Sequence, residues 1–263
     1  MTITSSEPTK RLSVEQRERY HDQGFLIVRG LFAPEEIQRG SQEADKLFQR
    51  DDLKKSDNIR CRWQTNETNG ACQFETFDPV IDIGPVCREL AYDVRLLEVL
   101  HDLYGEPACL FKDKLILKRP GMKGYNLHQD WIAWERFPRS FLTVLIPFDR
   151  AAADNGCTEV FPGYHKNGPL SPEDGEYHEL SFDGIDESKG VLLELGIGDI
   201  AIFDGFAPHR SGPNNSERWR RQLYLSYNKQ SDGGDFRKRH YAEFHHWLRK
   251  KYAEYAKNNV YFA

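Results

Sequence analysis

A chain of 263 residues with a net charge of −5 and a pI near 6.0 carries no general attraction for nucleic acid or an anionic membrane surface, so neither is expected as a partner. Hydrophobic residues at 39% and charged residues at 29%, with sixteen Phe, twelve Tyr and five Trp, supply a packed core and exclude global disorder. The N-terminus has no basic and apolar leader pattern, no stretch is long enough to span a bilayer, and the five scattered cysteines (Cys61, Cys72, Cys87, Cys109, Cys157) form no C-x-x-C pair, so a cytoplasmic protein with reduced, structural thiols is expected.

Along the chain, Ser13-Val14-Glu15-Gln16 fits a capping box, which predicts a short helix to about His21. Phe25 to Arg29 is a compact apolar run after Gly24 and reads as a strand, and Ala33-Pro34 opens a second helix with Pro at a tolerated first-turn position. From Asp51 to Asp78 the chain turns polar and irregular, a long loop or lid candidate. Leu90, Val94, Leu97 and Leu100 then restore helical spacing between Val86 and Leu103.

After Gly105 come short runs rich in β-branched and aromatic residues: Ala108 to Leu117, Phe141 to Phe148, Thr158 to Phe161, Val191 to Leu195, Ile200 to Phe203 and Gln222 to Asn228. Turn signals such as Pro120-Gly121, Asn155-Gly156 and Pro162-Gly163 separate them, and that rhythm predicts a double-sheet jelly roll with helices packed outside. Tyr241, Phe244, Leu248, Tyr252 and Tyr255 recur at helical spacing, giving a C-terminal amphipathic helix over about 236–257 whose stripe is core or dimer contact. One domain is expected over 1–263, with helical elements at about 13–104 and at the C-terminus packed on a mainly β core, as a monomer or homodimer.

The chemistry concentrates in Tyr125-Asn126-Leu127-His128-Gln129-Asp130. In an extended segment the i, i+2 spacing points His128 and Asp130 to one face, and His209, directly after a predicted strand, offers a third ligand. Two imidazoles and one carboxylate form the facial triad that suits Fe(II) and leaves positions open for a bidentate 2-oxo acid and then O2. A His-x-Asp triplet alone is common by chance, and a zinc hydrolase using the same three groups is chemically allowed. Arg220, eleven residues beyond His209, adds a guanidinium able to pair bidentately with the far carboxylate of 2-oxoglutarate. Whether Arg220 or Arg221 points inward depends on strand register, which the sequence leaves open.

These segments carry a resemblance. His128-Gln129-Asp130, the run from Asp154 to His165, Gly198 to Phe203 and His209 to Arg220 resemble the phytanoyl-CoA dioxygenase family, as does the opening Gly24 to Phe32, so the likeness runs over roughly residues 14 to 230. It implies a double-stranded β-helix, a cupin-like jelly roll, with Fe(II) at His128, Asp130 and His209, 2-oxoglutarate anchored by Arg220, and O2 consumed in hydroxylation, with ascorbate as a possible stimulant. Asp130 argues against the halogenating variant, which replaces the acidic ligand with a small residue. His165, in a turn motif, is read as structural, and His245 and His246 as lying on the exposed side of the last helix. Thr143, on a core strand, is a candidate for a second 2-oxoglutarate contact.

For the substrate, Tyr125, Trp131 and Trp134 are candidate pocket walls, with core packing the competing role. Arg60 and Arg62, in the polar stretch, and Lys112, Lys114 and Lys118, on the strand before the metal motif, form two basic clusters; Arg60, Arg62 and the pair Lys112 and Lys114, alternating onto one face of the strand, could hold an anionic group if they point inward, whereas on an edge strand the lysines would be solvated. The stretch Glu106 to Leu115 resembles organophosphonate-hydroxylating members of the family, so 2-aminoethylphosphonate or a close analogue is the expected small-molecule substrate. Amino acids, osmolytes and natural-product intermediates are the alternatives within the class, and a catalytically silent jelly-roll binding protein the alternative outside it.

Overall fold

A computed structural model describes residues 10–55 and 58–255, with side chains as far as residue 250. The capping box is formed: Ser13 accepts from the backbone N–H of Gln16 while Gln16 accepts from that of Ser13, opening helix α1 (Val14–Gln23), which Gly24 ends in the left-handed region at φ 78°. Strand β1 (Phe25–Val28) and helix α2 (Pro34–Phe48) follow as read from the sequence. The periodic stretch after Val86 is two helices, α3 (Pro85–Ala91) and α4 (Val94–Tyr104). Asp93 interrupts it by leaving helical geometry and accepting from the N–H of Arg95 at 2.9 Å, as an N-cap does.

The polar stretch 51–78 corrects the sequence reading. It is not a free lid but contains a hairpin, β2 (Cys61–Thr65) and β3 (Cys72–Phe77), continuing the larger sheet. The turn signals are real: Asn66 Oδ1 takes the N–H groups of Thr68 and Asn69, and Gly70 sits at φ 68°. The strands escaped notice because one face of each meets a polar chamber, so the usual alternation of apolar and polar residues is absent.

The remaining strands are β4 (Ala108–Lys118), β5 (Tyr125–His128), β6 (Leu142–Pro147), β7 (Thr158–Val160), β8 (Val191–Leu192), β9 (Ile200–Asp204), β10 (His209–Ser211) and β11 (Arg220–Lys229). They form a seven-stranded sheet, β1-β9-β6-β11-β4-β3-β2, and a four-stranded sheet, β5-β10-β7-β8, antiparallel at every pairing, the jelly roll expected. The outer face of the large sheet buries Leu115, Leu117, Val144, Ile146, Leu223 and Leu225 with Leu47, Leu96 and Leu100 of the helices. Its inner face places Ile116, Leu145, Phe203 and Tyr224 against Val160 and Ala207. Strand alternation settles the register of β11: Leu223 and Leu225 face out, so Arg220, Gln222, Tyr224 and Ser226 face in. Arg221 is outward, bound to Asp149 and Asp45.

The C-terminal helix α5 (Arg237–Tyr255) buries Tyr241, Phe244 and Leu248, as its stripe predicts; the side chains of Tyr252 and Tyr255 lie outside the described residues. It docks on β4. The Tyr241 hydroxyl accepts from the Asp113 N–H at 2.9 Å and donates to Asp78 Oδ1 at 2.9 Å, and Arg237 Nε donates to Asp113 Oδ2 at 2.7 Å. His246 is exposed as expected, but His245 is half-buried beside Tyr241. His165 lies over Gly24, where a Cβ would collide with its ring, and faces the carbonyl of His21, a structural place. No helix among the described residues is long and apolar enough to cross a membrane.

On α5, His240 is 2% exposed between Phe111 and Phe244, and burial, with Lys112 nearby, pushes its pKa down to about 3. A histidine depressed on folding stays neutral in the folded state while the unfolded chain protonates below about 6.5, so stability present above that pH is lost as pH falls. Thermal unfolding from pH 7 to 5 should show a smaller loss in His240→Leu than in wild type; equal slopes would mean His240 plays no part in acid sensitivity.

Candidate active site

Two strands of the small sheet bring the histidines together. His128 ends β5, His209 begins β10, and they are direct partners across the antiparallel ladder, with ring centroids 4.2 Å apart. Asp130, two residues on, places Oδ1 3.8 Å from the Nε2 of each. All three ligand atoms lie within 4.8 Å of one another. Gln129, between the ligands, turns away: its amide donates to the carbonyls of Phe206 and Gly168 and accepts the N–H of Leu170, fixing the bend that delivers Asp130.

The donor set fits a divalent metal. His128 Nδ1 lies 2.6 Å from the Asn126 carbonyl and His209 Nδ1 3.0 Å from that of Ala207, so each Nδ1 carries the proton and each Nε2 lone pair faces Asp130. Burial, reinforced by the neighbouring imidazole, pushes His128 down to about 3, and burial lowers His209 as well. Burial alone would raise Asp130, but the positive charge facing it, from His209 and His128 when they are protonated and from Lys114 throughout, outweighs burial and holds the carboxylate well below its usual range. Neutral imidazoles and an ionised carboxylate are the state a metal requires. Asp130 Oδ2 in turn accepts from the Thr143 hydroxyl at 3.0 Å, and Thr143 meets Ser226 across the β6–β11 pair at 3.2 Å. Offered by sequence as a cosubstrate contact, Thr143 instead commits its one hydroxyl proton to the carboxylate ligand.

Deeper between the sheets, Arg220 is fully buried, opposite Lys118 on β4. Its Nη1 donates to Gln222 Oε1 and, at 3.2 Å, to the Tyr224 hydroxyl, while Nε and Nη2 have no partner among the described residues. Those two N–H groups form one edge of the guanidinium, the fork that grips a carboxylate. Lys118, equally buried, donates to the Gly212 carbonyl at 2.5 Å and the Ser211 hydroxyl at 3.2 Å; burial, with the Arg220 charge, pushes it down to about 6. Burial raises the Glu75 carboxyl, which accepts the Tyr125 hydroxyl at 2.5 Å.

Lys112 and Lys114 point inward, since they stand opposite Ser226 and Tyr224 on an internal strand. Lys114 Nζ lies 5.1 Å from the Tyr224 ring centre, and although burial opposes its charge, Asp130 and Asp78 raise its pKa. Lys112 Nζ sits 3.6 Å from Asp78 Oδ2 and 4.5 Å from the Phe244 ring centre. Arg62 also lies over Phe244, at 5.4 Å, and donates to the carbonyls of Ile59 and Cys61. Arg60 is not brought to the triad: it binds the Pro79 carbonyl and joins Arg88 and Arg237 around Asp82. Trp131 packs on Phe206, while Trp134 donates to the Gly175 carbonyl at 2.6 Å and packs against α5. Sequence reasoning passed over Glu75 and the Gln222, Tyr224, Ser226 row; the alternation of polar residues after Arg220 was the available signal. It also passed over Tyr177, whose ring is 5.6 Å from that of His128. A surface cleft of about 620 Å³ lined by Phe48, Trp219 and Arg221 lies on the outer face and contains no member of the triad.

Residues 20–222 match the family model described as phytanoyl-CoA dioxygenase. The chain belongs to the phytanoyl-CoA dioxygenase family. It is similar to methylphosphonate hydroxylase of Gimesia maris, 35% identical over 156 residues that span 59% of this chain and 58% of that protein. It is also similar to 2-aminoethylphosphonate dioxygenase of the uncultured bacterium HF130_AEPn_1, 28% identical over 83% of this chain and 82% of that one. The solved structure of EctD from S. alaskensis with 2-oxoglutarate and 5-hydroxyectoine shares the fold, with a TM-score of 0.68 at 19% identity over 86% of this chain and 79% of the other. As a member of this family, the protein is a non-haem iron, 2-oxoglutarate-dependent dioxygenase that uses Fe(II), 2-oxoglutarate and O2.

Loss of a group that orients a metal ligand typically weakens metal binding by roughly 10- to 100-fold. Thr143→Val should do so in an anaerobic Fe(II) titration of the apoprotein while leaving thermal stability near wild type; unaltered affinity would remove Thr143 from the metal's support.

Proposed function

We propose that this enzyme hydroxylates a small organophosphonate at the carbon beside phosphorus, with His128, Asp130 and His209 holding Fe(II) and Arg220 holding 2-oxoglutarate. The observation that carries the substrate reading is the inward row of cations on β4 beside the triad. Fe(II) with Asp130 carries one positive charge, and the 2-oxoglutarate dianion with Arg220 one negative charge, so the metal half of the chamber is balanced. On β4, Lys112 and Lys114 add positive charge beside it, shared with Asp78 and Asp130, and an anionic phosphonate is the ligand chemistry that such inward cations favour. The two similar phosphonate-oxidising proteins support the same class.

When bound, iron and 2-oxoglutarate supply the oxidation: O2 is consumed, the oxo acid leaves as succinate and CO2, and one oxygen atom enters a substrate C–H bond. The protein's part is placement. The open Nε and Nη2 edge of Arg220 takes the far carboxylate of 2-oxoglutarate, with Lys118 adjoining. Thr143 holds Asp130, so the ligand does not rotate when the other positions fill. Lys114, nearest Asp130 in charge, takes phosphonate oxygens and thereby presents the adjacent carbon to the metal. Tyr125 is a support for Glu75 rather than a substrate wall, and Trp131 and Trp134 pack on Phe206 and on α5. A silent carrier would have no need of the open guanidinium edge beside an intact triad, and a zinc hydrolase would leave Arg220 without a role.

The test is succinate formation by Fe(II)-loaded protein with 2-oxoglutarate and ascorbate under air, with methylphosphonate, 2-aminoethylphosphonate, amino acids and an acyl-CoA as candidate substrates. Phosphonates should stimulate succinate, and Asp130→Ala should abolish it. Charge-assisted hydrogen bonds contribute about 1.5–3 kcal/mol each, so Arg220→Ala should raise the 2-oxoglutarate requirement by roughly tenfold to a few hundredfold. Lys114→Ala should raise the phosphonate KM with little change in the 2-oxoglutarate requirement. Stimulation by amino acids and not by phosphonates would overturn the substrate class.

A further inference from the structure

The family segment ends at residue 222, yet helix α5 begins at Arg237 and reaches the inward face of β4. The element that closes the chamber at the Lys112 end therefore lies beyond the segment that the family model matches. Its contact point is Phe244, where three walls meet: the β4 cation Lys112 at 4.5 Å from the ring centre, the β2 cation Arg62 at 5.4 Å, and Trp134, from the loop that follows the metal ligands, at 6.1 Å. Tyr241, one turn earlier, ties the helix to Asp78, the carboxylate that faces Lys112.

We propose that Phe244 determines substrate size, acting as the end wall of the chamber and as the surface that holds Lys112 and Arg62 in place for the substrate's anionic group. The physical argument has two parts. Like charges repel, and two cations lie on one ring because its negative faces attract both. Removing the ring leaves two long, flexible side chains without that common support. The ring also occupies volume: Phe244 is 9% exposed, buried at the junction of β2, β4 and the Trp134 loop. Its removal lengthens the space beyond Lys112 by about the dimensions of a phenyl group. Small phosphonates should therefore fit the wild-type protein, while a compound with a ring attached to the same carbon should be refused.

This inference rests on the proposed phosphonate reading for the chemistry of the anion, but the size limit can be judged separately. Methylphosphonate and benzylphosphonate, with acetate and phenylacetate as carboxylate counterparts, are titrated calorimetrically into protein holding 2-oxoglutarate and Zn(II), which needs no turnover. Wild type should bind the small anion and not the aromatic one. A cation–π contact contributes about 0.5–2 kcal/mol, so Phe244→Ala should bind the small anion several-fold to about thirtyfold more weakly, gain the aromatic one, and keep wild-type affinity for 2-oxoglutarate. Phe244→Tyr should retain the wild-type pattern, and Phe244→Leu, which keeps most of the volume and the apolar stripe but not the aromatic face, should weaken the small anion as alanine does while still refusing the aromatic one, with α5 still docked. Wild type that binds carboxylates but no phosphonate would remove the phosphonate reading, and the size limit would then be decided on the carboxylate pair. Wild type that admits the aromatic compound as readily as the small one, a folded Phe244→Ala that still refuses it, or a Phe244→Leu that binds the small anion as tightly as wild type would overturn the proposal.

Discussion

The site depends on one cross-strand pair. His128 and His209 are distant in sequence but face each other across the β5–β10 ladder, and each spends its Nδ1 proton on a carbonyl two residues earlier. That pairing fixes which nitrogen of each ring is available and where both lone pairs converge. Asp130 can follow immediately after the strand because Gln129 is anchored to the neighbouring loop. The surrounding structure serves this pair: the small sheet carries it, the large sheet supplies Thr143 and Arg220 opposite, and the helices cover the far side.

The inner face is an expensive one to fold. Arg220 and Lys118 are fully buried, Glu75 nearly so, and burial opposes the charge of both Lys118 and Glu75. Buried charges with incomplete partners destabilise a fold unless a ligand answers them. The outer face compensates with a continuous apolar layer against α2, α3 and α4. This division of one sheet into a stabilising face and a ligand-answering face explains why local sequence rules hold on one side of β4 and β11 and fail on the other.

That division also governed what could be read in advance. The capped helix α1, the apolar strands and the jelly-roll order were legible because apolar periodicity and capping chemistry are local. The His128–Asp130 pair was legible because its spacing is short, His209 because it follows directly on a predicted strand, and Arg220 because it follows His209 closely; the register of Arg220 needed the alternation of the whole strand. The β2–β3 hairpin was mistaken for a loop because residues such as Arg62 and Glu75 belong to the chamber. Lys118 was seen only as part of a basic run, since nothing local separates a buried lysine from a solvated one. The role of Thr143 depended on Asp130 approaching from another strand, which no spacing encodes.

The most direct test is phosphorus NMR and mass spectrometry of methylphosphonate and 2-aminoethylphosphonate after incubation with the Fe(II) enzyme and 2-oxoglutarate under oxygen-18 gas. The account predicts a hydroxylated product carrying one labelled oxygen on the carbon beside phosphorus, with one succinate formed for each. Both phosphonates recovered unchanged while another metabolite takes up the label would contradict it.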